Sequence, residues 1–109
     1  MASFESQKVE RIKQLLSKGY IIVKLDYHEA IKTPAYTKWQ LPNSAIFLYS
    51  TVNRNKTHWN EYYLVPIDAV LIRIRKSNRG NVSIDKYLAS ELKVSGKEQE
   101  ELLILLEET

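Results

Sequence analysis

The chain has 109 residues, 44% hydrophobic and 27% charged, which bounds it to one globular domain with no room for a second independent core. It contains no cysteine, so disulfides, thiolate metal sites and cysteine nucleophiles are excluded. The formal net charge of +3 is unevenly divided: residues 1–80 carry 13 Lys/Arg against 6 Asp/Glu, a net of +7, and residues 81–109 carry 3 against 7, a net of −4.

The amino end, "MASFESQKVERIKQLLSKG", bears charges throughout and has no apolar core of the kind a secretory signal needs. The purely apolar runs, such as "LLILL" near the carboxyl end, are far too short to span a bilayer. A soluble, cytoplasmic protein without membrane association is expected. A helix is predicted from about Phe4 to Lys18, with Val9, Ile12, Leu15 and Leu16 on one stripe, Ser3 as its cap and Gly19 as its left-handed stop. "YIIVKLDY" follows as a strand with Ile21, Val23, Leu25 and Tyr27 on its more apolar face.

Between Glu29 and Asn43 no period is sustained, and Pro34 and Pro42 bracket "AYTKWQL". The expectation is a long connection with one helical turn and Trp39 folded back on the body. "AIFLYSTV" and "EYYLVPI" read as strands of an antiparallel hairpin whose tip holds Arg54, Lys56 and His58. "AVLIRIRK" is the next strand, read with Val70, Ile72 and Ile74 inward and Arg73 and Arg75 outward. "SNRGN" breaks it through Gly80. Two helices are expected to close the chain. The first is capped by Ser83 and carries Ile84, Tyr87, Leu88 and Leu92; the second starts at the Ser95/Glu98 capping box and carries Leu102, Leu103, Leu105 and Leu106. The order gives an α+β domain over residues 1–109, with an antiparallel sheet of about four strands, an N-terminal helix and a C-terminal helical hairpin.

Catalytic signatures are not visible. Asp26, His28 and Glu29 cluster at a strand end, but a metal site needs a further ligand in the right geometry, and His58 is the one other histidine. Gly19, Gly80 and Gly96 stand too far apart to cradle a phosphate. No catalytic residue, metal site or cofactor is therefore nominated, and a non-enzymatic role is expected.

The segment "SIDKYLASELKVSGKEQEELLILL" resembles the helix-turn-helix of DNA-binding proteins. Leu88, Ala89, Leu92, Val94 and Ser95 stand where such families place the first-helix core, the turn residue and the cap. The resemblance implies that residues 96–107 would lie in a major groove. Two departures oppose it. Lys93 holds the position usually given to glycine, and Glu98, Glu100 and Glu101 would face the phosphates of a duplex. The cysteine-free, Lys/Ile/Leu/Tyr-rich composition also resembles that of small orphan proteins of archaeal viruses and plasmids, a likeness that assigns no residue a role and would place the protein in an infected host cell.

Two functions follow. The first is a small, regulatory protein binding DNA or RNA through a basic sheet face and hairpin tip: Arg54, Lys56, Arg73, Arg75, Lys76 and Arg79 for phosphates, with Trp59 as a nearby ring. The second is a protein-interaction module or inhibitor. It would dock on a host protein, or pair two subunits, through Trp39 and the acidic C-terminal helix with Leu102, Leu103 and Leu106.

Overall fold

A computed structural model describes residues 4–51 and 57–108. Its first element is helix α1 (Phe4–Ser17), which turns Val9 and Ile12 into the core. It stops where Gly19 takes a φ of 100°, a left-handed conformation that carries no Cβ penalty in glycine. Six strands follow: β1 (Tyr20–Glu29), β2 (Tyr36–Gln40), β3 (Ile46–Ser50), β4 (His58–Pro66), β5 (Val70–Lys76) and β6 (Val82–Leu88). A 3-10 turn at Ala89–Leu92 leads into helix α2 (Gly96–Glu108). The strands form one antiparallel sheet in the order β3-β4-β1-β2-β5-β6.

The pairing of β1 divides this sheet. Along β4 it keeps register from Tyr20–Pro66 to His28–His58, but β2 meets it only at His28–Thr37 and Glu29–Tyr36. The backbone edge of β1 left free by β2 is taken by the segment before α2: Val23 bridges to Lys93, and the Val94 amide donates to the Ile22 carbonyl at 3.0 Å. Buried amides and carbonyls need partners, so this segment completes the sheet where a strand is missing. Two cores result. One lies between the helices and the sheet and contains Val9, Ile12, Ile22, Leu48, Leu64, Leu102 and Leu106. The other gathers Ile21, Val23, Leu25, Val65, Leu71 and Ala89, with Trp39 and Tyr63 packed against it.

Three expectations are corrected. The sheet has six strands, because β2 and β6 occupy stretches read as a connection and as a helix. Residues 82–88 are a strand since Val70–Leu88 to Lys76–Val82 pair in unbroken register; the C-terminal pair of helices, and the first helix that the helix-turn-helix resemblance implies, are not formed. The inward face of β5 is also inverted. Leu71 is fully buried, while Val70 is about half exposed and Ile72 and Ile74 are only half-buried. Arg73 and Arg75 therefore share a face with a core residue, two and four positions along the strand.

Helix α2 begins as read from its cap, with the Glu98 amide donating to Ser95 Oγ at 3.1 Å. The Glu98 side chain reaches elsewhere. Its Oε2 accepts from Tyr62 Oη at 2.8 Å and pairs with Lys24 Nζ at 3.3 Å, tying α2 to β1 and β4. The Tyr62 bond, assisted by Lys24 and opposed by burial, holds the Glu98 carboxyl below its ordinary range. Burial and the same bond push the Tyr62 hydroxyl up to about 12. A lowered carboxyl stabilises the fold above its unfolded pKa and loses that contribution as pH falls; a raised phenol stabilises it below its own unfolded pKa and loses that as pH rises. Chemical denaturation from pH 7 to pH 3 should therefore show Glu98→Gln losing less stability on acidification than the parent. Parallel pH curves would contradict the tie.

Candidate nucleic-acid interface

The register of β2, β5 and β6 sets the site. Trp39 pairs with Arg73 and Arg73 with Asp85, while Leu71 pairs with Tyr87 and Thr37 with Arg75. Paired residues share a face, so one surface presents two arginines, one carboxylate and two rings. The Arg73 guanidinium lies 5.9 Å from the Trp39 ring centre and 5.0 Å from that of Tyr87. These rings are themselves 5.5 Å apart. Asp85 Oδ2 pairs with Arg73 at 3.5 Å and with Arg75 at 3.0 Å. Arg73 Nε is buried with no hydrogen-bond partner among the described residues. The two π faces are its immediate surroundings, which places Arg73 as packing and charge together.

Beyond these arginines, β1 and β4 contribute His28 and His58, paired across the strands and stacked at 4.2 Å. Asp26 and Asn60, paired two positions along, share their face. An open, largely polar cleft of about 650 Å³ is lined by these residues with Thr37, Arg73 and Arg75. A second cleft of about 610 Å³, reaching Lys76 and the Ser77–Asn81 turn, shares His28, Thr37 and Arg75 with the first. The two form one trough. Arg79 sits exposed on the adjoining turn, where Gly80 has a φ of 88° and the Gly80 amide donates to the Ser77 carbonyl.

The nominated residues are only partly brought together. Arg73 and Arg75 line the first cleft and Arg75 and Lys76 the second, though the Lys76 ammonium lies 6.0 Å from the Tyr36 ring. Trp59 lines the first cleft, yet its ring stacks on Tyr27 at 5.6 Å and its Nε1 donates to Glu61 Oε2 at 2.8 Å. Strand alternation puts it on the face of β4 opposite His58, although both rings line the first cleft with the arginines. Glu61 also accepts from Tyr63 at 2.9 Å; burial and this bond raise the Tyr63 hydroxyl to about 12, and burial beside Glu61 raises Tyr27 as well. Arg54 and Lys56 lie outside the described residues.

Of the interaction residues, Trp39 is half-buried with its Nε1 donating to the Asp26 carbonyl at 2.8 Å. Leu102 and Leu106 are core, and Leu103 packs against them. Among the described residues, no cluster of three metal-ligating side chains occurs, and no helix is long and apolar enough to cross a membrane. The cross-strand histidine pair is the feature that sequence reasoning missed, because 30 positions separate residues that only the β1–β4 register joins.

No protein-family model matches the chain, and no curated protein and no solved structure matches it.

The two arginines should separate in a stability assay. Arg73→Ala removes a cation packed on two rings and should cost about 1–2 kcal/mol in urea denaturation. Arg75 is 49% exposed and should cost no more than about 0.5 kcal/mol. Equal losses would count against the Trp39–Arg73–Tyr87 stack.

Proposed function

We propose that this protein binds single-stranded nucleic acid, gripping the phosphate backbone along the trough that runs from His58 and Asn60 past Arg73 and Arg75 to the Lys76–Arg79 turn. The observation that carries this reading is the sharing of one carboxylate by two guanidiniums. Asp85 neutralises one of the two charges and fixes both side chains; Asp26 offsets the other within the first cleft, so the excess positive charge of the trough lies toward Lys76 and the exposed Arg79. Phosphates need donors of that kind, and arginine's planar fork matches them. The imidazoles of His28 and His58 supply faces on which bases stack, a contact that tolerates every base. Asp26, on the same cleft, opposes an anion there, which favours a strand passing closer to β5.

The trough is open rather than a deep pocket, which suits a polymer lying across it better than an enclosed small molecule. A regulatory role fits the absence of a catalytic signature in the sequence. No helix is asked to enter a groove, since no residue of α2 lines either cleft of the trough.

Fluorescence anisotropy with labelled single-stranded DNA and RNA, titrated with salt, tests this directly. Each phosphate contact on a single strand contributes about 0.7 to the slope of log affinity against log salt. Arg75→Ala should weaken binding and flatten that slope by about 0.7. Absence of binding at ~50 mM salt would overturn the reading.

A further inference from the structure

The face of β5 and β6 turned away from Arg73 and Arg75 is a surface that none of the described residues covers, and only its Lys76–Val82 end also borders the second cleft. The pairs Val70–Leu88, Ile72–Lys86, Ile74–Ile84 and Lys76–Val82 share this face, and Lys38 joins it opposite Ile74. Ile84 is 65% exposed, and Val70, Val82 and Leu88 are each about half exposed. Neighbouring exposed aliphatic side chains on one sheet face mark an interaction site. Lys38, Lys76 and Lys86 surround its Ile74–Ile84 centre. Two such faces packed on each other would confront lysine with lysine, a costly arrangement. The occupant must therefore be apolar at its centre and acidic at its rim.

The chain's own α2 has this pattern. Ile104 is 57% exposed, and Glu100, Glu101, Glu107 and Glu108 stand at positions −4, −3, +3 and +4 from it, all exposed. On a helix those spacings put the four carboxylates around one apolar side chain. Among the described residues, none of the four is ion-paired. Beside Ile104 a groove of about 460 Å³ runs between α1 and α2, lined by Leu16 and Leu103, and can receive a protruding aliphatic side chain.

We infer that this protein associates with a second copy of itself, the outer face of α2 of one copy docking on the lysine-rimmed β5–β6 face of the next. The contact is heterologous, so each pair keeps one free face and one free helix and can add further copies unless the rotation closes a ring. Electrostatic complementarity sets the partner's orientation, and the Ile84 and Ile104 centres supply the apolar contact.

Sedimentation of the full chain tests the inference. The wild type should form species above its 12.7 kDa monomer, growing with concentration and roughly tenfold weaker at ~0.5 M than at ~0.05 M salt. Ile84→Asp and Ile104→Asp should each be monomeric alone, because each removes one half of the contact. Mixed, they should form a 1:1 dimer and stop there, since one intact face meets one intact helix. A double Lys38→Glu, Lys86→Glu variant, which leaves the isoleucines in place, should lose association as well, separating a docking defect from a folding one. A wild type that stays monomeric at low salt would overturn the inference. So would an Ile104→Asp variant that still associates, or a mixture of the two isoleucine variants that does not.

Discussion

The organisation of this protein depends on the register between β5 and β6. Seven consecutive pairs, from Val70–Leu88 to Lys76–Val82, commit the alternating residues of "VLIRIRK" to opposite faces. Leu71 goes to the core, and Arg73 and Arg75 follow it on the same side, over Trp39, Tyr87 and Asp85. Ile72, Ile74 and Ile84 go to the other. A slip of one residue would exchange every one of these positions, exposing Leu71 and burying the isoleucines. The polar trough and the apolar, lysine-rimmed face are thus two consequences of one pairing.

Around that pairing the charges are placed economically. Arg73 is 21% exposed and sits among rings and one carboxylate, which keeps its guanidinium within the surface. Arg75 reaches further into solvent while sharing the same Asp85 oxygen. At the start of α2, Glu98 binds Tyr62 and Lys24 and holds the helix to the sheet, so that Leu102 and Leu106 turn inward and Ile104 outward. The other carboxylates of α2, Glu100, Glu101, Glu107 and Glu108, are left exposed around Ile104.

Much of this was legible in the amino-acid order, and the failures have physical causes. Helix α1 and its stop at Gly19 followed from one stripe and one left-handed residue, and β1, β3, β4 and β5 from aromatic and β-branched runs. Strand β2 was not legible because Tyr36–Gln40 is short, polar and bracketed by prolines; its pairing with β5 makes it a strand. Strand β6 was misread because Ile84, Tyr87 and Leu88 fit helical spacing, whereas pairing with β5 puts Tyr87 on the face opposite Ile84 and Leu88. The inverted face of β5 has a similar origin. Composition suggested isoleucine inside and arginine outside, whereas Leu71 is the residue that meets Val23 and Leu25. Of the site, the Arg73–Arg75 pair was visible as a charge run, but Asp85 as its shared partner and the His28–His58 stack depend on contacts between distant strands.

The most direct measurement of this account is a set of side-chain proton contacts across β5 and β6 in solution, by nuclear Overhauser spectroscopy. The account predicts contacts from Leu71 to Tyr87 and from Ile74 to Ile84, with Arg73 protons near the Trp39 and Tyr87 rings. Contacts displaced by one residue, or helical contacts three and four positions apart within residues 82–88, would contradict it and dissolve both surfaces derived from the register.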